Sequence, residues 1–175
     1  QWSFDAGVSR GLPWFGALDD ASGLPGDAPR AQFTKFTLGA SVSRGFEAFG
    51  MRTQITSALN AQWSNDVLYA SEQISLAGPF SVRGYRDVRL YGDRGFTWRN
   101  ELAFPFSIGA GASRPVGIRP FVGADLGRVW SHEGGEAGYL SGFAAGVNVS
   151  FAPVSLQLSW SGSGERSGAL PSDQL

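Results

Sequence analysis

Few residues of this 175-residue chain could carry bond chemistry. It has one histidine, His132, and no cysteine, which excludes a thiolate nucleophile, a thiolate metal site and a disulfide framework. A hydrolytic triad would need a nucleophile and a carboxylate aimed at His132, and no nucleophile-elbow motif is present. One histidine builds a three-ligand catalytic zinc site only with help from several carboxylates, and His132 reads as exposed in a Ser-His-Glu-Gly-Gly loop. Asp19 and Asp20 are neighbours in a Gly/Pro loop; adjacent side chains diverge, so they make a poor acid/base pair and read as solvated. Arg86, Asp87, Arg89, Asp93 and Arg94 form a mixed-charge loop that reads as solvated rather than catalytic. The chain is read as a non-enzyme, with no catalytic residue, metal site or cofactor.

Composition narrows the remaining classes. Glycine, with 25 residues, stands at about twice its usual share, while charged residues, at 17%, fall below the usual one. A net charge of −1 excludes a nucleic-acid binder that relies on bulk positive charge. No run approaches the ~18 consecutive apolar residues of a membrane helix.

Alternation with period two recurs instead. Trp2, Phe4, Ala6 and Val8 share one face of the first such segment. Six more segments alternate in the same way, around Phe36–Val42, Ile55–Trp63, Phe96–Phe106, Ile118–Leu126, Phe143–Phe151 and Val154–Trp160. The opposite faces carry Ser, Thr, Asn, Gln and Gly, which suits a watered lumen better than a Lys/Glu-rich soluble surface. The segments approach the ~9–11 residues that a tilted strand needs to cross a bilayer. Aromatic residues gather near their ends, as interfacial girdles require. The expected fold is all-β, an antiparallel transmembrane β-barrel represented by about seven strands. Tight joins at Gly50-Met51 and Pro153 read as periplasmic turns, and Gly109–Gly117 as a further modest turn. The long connections Gly16–Gln32, Tyr69–Gly95 and Ser131–Gly138 read as extracellular loops. The barrel portion is expected over 1–162, with a long inward loop at 70–95 and a loop-like tail at 163–175. A soluble β-domain that binds a partner alternates in the same way and stands as the alternative outside membranes.

Two motifs make a family resemblance specific. Val82-Arg83-Gly84-Tyr85 resembles the VRGY/F loop-tip motif of the superfamily that contains BamA and the two-partner-secretion transporters. Gly123-Ala124-Asp125-Leu126-Gly127 resembles the GxDxG strand signature of the same superfamily. The run from Gly92-Asp93-Arg94-Gly95 into Trp98-Arg99-Asn100-Glu101-Leu102 is similar to the haemolysin activation/secretion branch, the ShlB/FhaC/HecB type.

The resemblance implies a sixteen-stranded barrel integral to the Gram-negative outer membrane, with periplasmic POTRA domains in a monomeric parent protein. It implies a pore that passes an unfolded exoprotein, with outer-membrane lipid around it and no ATP consumed, in keeping with the absence of a P-loop. A superfamily member that assembles other barrels is the nearer alternative. In the family the loop folds into the barrel and its arginine pairs with the strand aspartate, which assigns the pairing to Arg83 and Asp125. A guanidinium can hold such a carboxylate through two parallel bonds. Gly123 and Gly127, without side chains, would let another backbone approach. Val82, Gly84 and Tyr85 support the motif, and Arg99 and Glu101 would extend the network. In a wet lumen such a pair contributes roughly 0–1 kcal/mol, and more where water is excluded. Seven strands do not close a pore, so the chain is expected to be a portion of a barrel, strands nine to fifteen of the parent.

Overall fold

The computed structural model describes residues 1–167, apart from 77, 79, 86, 87, 89, 110–114 and 133–137. Alternating side chains place one apolar face on each strand, and these faces fall on one side of a sheet only when neighbouring strands pair in a common register. The chain forms β1 (Trp2–Arg10), β2 (Thr34–Ala48), β3 (Met51–Ser64), β4 (Ile74–Ser75), β5 (Tyr91–Gly92), β6 (Arg94–Ala103), β7 (Phe106–Ile108), β8 (Val116–Trp130), β9 (Gly138–Phe151) and β10 (Val154–Ser167). The main sheet runs β1-β2-β3-β6-β8-β9-β10, antiparallel throughout, with β7 also on β8. It is an open sheet with edges at β1 and β10, which do not pair with each other.

β6 and β7 are two parts of one crossing. Ala103 faces Phe121 and Phe106 faces Ile118, so the register continues unbroken across the gap. Pro105 has no N–H to offer the ladder, whereas Phe104 N still donates to Pro120 O at 3.0 Å. Seven crossings result, the number expected from alternation. The β2–β3 hairpin closes through Phe49 and Gly50, both with positive φ (54° and 72°), the geometry that matches strand twist in two-residue hairpins.

One boundary differs from the sequence reading. β10 continues to Ser167, so residues 163–167 are strand rather than tail. Their Gly/Ser-rich composition shows no apolar alternation. Pairing with β9 orders them, as in Arg166 opposite Leu140, after a register shift between Ser163 and Arg166. Residues 168–175 of that tail, and most of the 109–117 turn and the 131–138 loop, lie outside the described residues.

The outward face exposes large apolar side chains on every crossing, among them Phe4, Phe36, Ile55, Trp98, Val122, Phe143 and Leu158. The inward face departs from a uniformly polar lining. Ala103, Phe121 and Ala144 form one buried apolar cluster on it, and Val129 and Leu140 join Leu76 and Val82 in another. The second cluster exists because the long connection between β3 and β6 folds back over the sheet.

Candidate functional site

The 65–93 connection is built in two tiers. Its lower tier is fastened to strand ends. Lys35 Nζ lies 2.7 Å from Glu72 Oε2, and Gln62 Nε2 donates to Glu72 O at 2.9 Å. Asp93, only 1% exposed, accepts from Leu68 N (2.8 Å) and Gln73 Nε2 (3.1 Å) with one oxygen and from His132 N (2.9 Å) with the other. This corrects the reading of Asp93 as a solvated loop charge: buried, it gathers three donors from two segments, the 65–73 stretch and the start of the 131–138 loop. Arg94 is likewise engaged, donating to Ser64 O at 2.8 Å and lying 3.2 Å from His132 Nδ1. His132 is half-buried rather than exposed. Arg86, Asp87 and Arg89 lie outside the described residues.

The upper tier is a compact excursion between β4 and β5. Leu76 N donates to Leu90 O at 3.0 Å, and Val82 N donates to Leu76 O at 2.9 Å, which turns the tip back on itself. Leu76 and Val82 are then fully buried against Val129 and Leu140, with Ile74, Tyr85, Val88 and Leu90 packed around them. The apolar cluster fixes where the tip rests; polar contacts fix its orientation.

Those polar contacts centre on Arg83 and Asp125. Arg83 Nε donates to Asp125 Oδ2 at 2.6 Å and Nη2 to Oδ1 at 2.8 Å, a two-pronged grip on the carboxylate. Arg83 N adds a third donor to Oδ2 at 3.1 Å. The Asp125 side chain is fully buried and that of Arg83 is 11% exposed, so water screens the pair little. The hydrogen bonds to Asp125 hold the Arg83 guanidinium above its ordinary pKa against the opposing effect of burial.

A chain of charge extends across the sheet. Arg83 Nη1 lies 3.4 Å from Glu101 Oε2, and Arg119 Nη1 donates to Glu101 Oε1 at 2.9 Å. Arg119 Nε reaches Gln54 Oε1 at 3.3 Å. Arg99, the cross-strand neighbour of Asp125, stands 4.0 Å from Asp125 Oδ1. The alternating signs let the buried acid and the loop cation share partners.

Glycines make the close approach geometrically feasible. A methyl group at Gly123 would meet the Arg83 guanidinium, and one at Gly127 would meet Leu76 and Val82. Gly142, directly across from Asp125 on β9, leaves space for Arg83 O. Gly84, at φ +98°, lies against the backbone of Gly162 and Ser163 on β10. Tyr85 OH donates to Ser141 O at 2.8 Å and approaches Glu165 O at 3.1 Å. Thus Val82, Arg83, Gly84, Tyr85, Gly123, Asp125, Gly127, Arg99 and Glu101 gather at one place. The sequence reading missed Gly142, Arg119, Leu76 and Leu140. Gly142 stands on the polar side of its strand, a signal that could have marked it; Leu76 and Leu140 look like ordinary strand or loop leucines until the loop covers them.

The arrangement contains no group poised for bond chemistry. Among the described residues no cluster of His, Asp or Glu is suited to a metal ion. What it can do is hold a loop against the inner wall of a curved sheet. Long amphipathic crossings with apolar side chains outward define a class, the transmembrane β-barrel proteins.

Comparison with known proteins makes this particular. Residues 1–149 match the family described as haemolysin secretion/activation protein ShlB/FhaC/HecB, and the chain belongs to that family. It is 37% identical over 157 residues to outer membrane transporter CdiB of Escherichia coli, covering 84% of this chain and 24% of that protein. Hemolysin transporter protein ShlB of Serratia marcescens is 32% identical over 128 residues, 73% of this chain and 22% of that protein. The solved structure of CdiB from Escherichia coli matches with a TM-score of 0.83 at 32% identity, over 95% of this chain and 30% of that one. The chain therefore spans about a quarter of the length of the curated relatives it matches.

Proposed function

We propose that this chain is the C-terminal portion of an outer-membrane pore that secretes a partner exoprotein in an unfolded state, with Arg83 and Asp125 holding the VRGY loop inside the lumen. The observation that carries the reading is the burial of a loop arginine against a strand carboxylate on the inward face of an otherwise lipid-facing sheet. Family membership supports transport rather than catalysis, and relatives named as hemolysin transporters supply the exoprotein as the class of cargo. Nothing in the proposed role calls for a cofactor. The pair acts by fixing one loop position: a locked tip narrows the lumen at rest, and its displacement or rearrangement accompanies passage of the chain.

The test is exoprotein release by the full-length transporter carrying Arg83→Ala, with surface insertion of the barrel measured in parallel. Release should fall while insertion persists. Undiminished release would count against the role of the pair. Retained release with lost insertion of other barrels would point instead to an assembly factor, and a full-length protein monodisperse without detergent would point to a soluble β-domain.

A further inference from the structure

On the outward face, near the end where β6 begins and β8 stops, two side-chain rows carry an unusual mixture. In the upper row Arg94 stands across from Trp130, and in the row below Phe96 stands across from Arg128. Each arginine lies over a tryptophan: the Arg94 guanidinium is 4.4 Å from the Trp63 ring centre, and that of Arg128 is 5.0 Å from the Trp130 ring centre. Beside them opens an apolar cavity of about 540 Å³, lined by Trp63, Ala61, Phe96, Trp130 and Arg94. Ala61 is its floor: this small side chain sits between Leu38 and Phe96 in the cross-strand row and leaves a notch beneath Trp63.

Arg128 is exposed among the apolar side chains of this end of the outward face, which also carries Arg94 and, on other rows, Arg10, Arg44, Ser57 and Asn100. Among the described residues no carboxylate forms an ion pair with Arg94 or Arg128. A lipid-facing arginine is tolerated near the interface and disfavoured deeper, so its position two residues inside the end of β8 matches headgroup depth. Stacking on tryptophan holds each guanidinium in place; it leaves the edge of Arg128 able to donate to an anion, whereas Arg94, with Nε on Ser64 O and Nη2 on Asn65 Oδ1 and beside His132 Nδ1, has Nη1 left to offer. A cavity of this size is of the order that holds a small-molecule ligand, about 300–1,000 Å³.

We propose that this notch is a binding site for a phosphorylated lipid of the surrounding outer leaflet. An acyl chain lies over Ala61 against Phe96, Trp63 and Trp130, and its phosphate accepts from Arg128 and from Nη1 of Arg94. The inference rests on the outer-membrane reading given under Proposed function. It differs from simple snorkelling, in which a rim arginine reaches water or any headgroup without preference.

The experiment uses the full-length transporter, folded and purified in detergent, and bisphosphorylated lipid A as the probe, with its dephosphorylated form as control. Retained lipid is counted by native mass spectrometry, and exoprotein release is measured on the same variants in cells. Wild type should prefer the bisphosphorylated probe. Arg128→Gln should cut that preference about tenfold, the effect of losing one charge-assisted hydrogen bond. Ala61→Phe, which fills the notch and leaves both cations, should reduce retention of both probes. Arg83→Ala should leave lipid retention unchanged. An inserted, secreting wild type that retains both probes equally, or an Arg128→Gln variant with wild-type preference, overturns the site and leaves the transporter reading standing. A full-length protein that never inserts in the membrane overturns both.

Discussion

Arg83 and Asp125 meet through three donors on one carboxylate, with Nε and the backbone N sharing Oδ2 and Nη2 on Oδ1. The backbone donor distinguishes this contact from a side-chain ion pair. It fixes the loop main chain, and not merely a flexible side chain, relative to β8. The carboxylate is fully buried, so each partner is costly to leave alone.

Arg83→Ala is therefore expected to release the loop tip rather than unfold the sheet. Removing one partner of a buried pair costs about 3–5 kcal/mol, here charged to loop docking. Hydrogen exchange on the full-length protein should show faster exchange at Leu76 and Val82 and unchanged exchange along β8 and β9. Arg83→Lys should recover only part of the loss, because an ammonium cannot reproduce the planar fork.

Asp125→Ala should behave similarly, and the double replacement should cost less than the sum of the two. Contacting pairs in one network commonly couple by about 0.5–3 kcal/mol. A double-mutant cycle read by protease sensitivity of the loop measures this. Strict additivity would mean that Arg83 and Asp125 act on the loop independently and not as a pair.

Gly142→Ala tests the seat without touching a charge. The added methyl group would collide with Arg83 O, a backbone atom that moves only with the loop. Overpacking of this kind costs about 1–3 kcal/mol. The expected result is a displaced tip with an intact β8–β9 ladder, seen as new proteolytic sensitivity within 76–90. Gly84→Ala should add backbone strain, since its φ of +98° disfavours any side chain.

Leu140→Ala tests the apolar half of the attachment. Leu140 is fully buried beneath Leu76 and Val82, and truncation of such a leucine costs about 2–5 kcal/mol. Loop exchange should accelerate even though Arg83 and Asp125 remain. If it does not, the ion pair alone holds the tip.

Asp93→Ala should loosen the lower tier. It would strand Leu68 N and His132 N, each at about 1–3 kcal/mol where buried. Amide exchange at Leu68 and His132 is the direct readout, with the Arg83–Asp125 contact expected to survive.

The number of crossings, their order along the chain and their outward faces were legible in the sequence, because alternation records directly which side of a strand meets an apolar medium. Asp125 between Gly123 and Gly127 was legible too, once set beside the loop motif at Val82–Tyr85. The covered inner face was not. Val129, Leu140 and Phe121 belong to the face predicted to be polar, and nothing local marks them as beneath a loop or packed across the sheet. Asp93 read as one of several loop charges for the same reason: its donors Leu68 N and His132 N come from distant segments. The last strand outran its expected end because pairing with β9, not composition, orders Gly162–Ser167.

Seven alternating strands, and the placing of the motif arginine on a loop and the motif aspartate on a strand, could be read from residue order. How closely the loop sits emerged with the folded chain, in which Gly142 and Gly84 open the space and Leu76 and Val82 fill it. Periodicity encodes orientation relative to one medium, whereas docking depends on which distant surfaces meet and leave no room for a side chain.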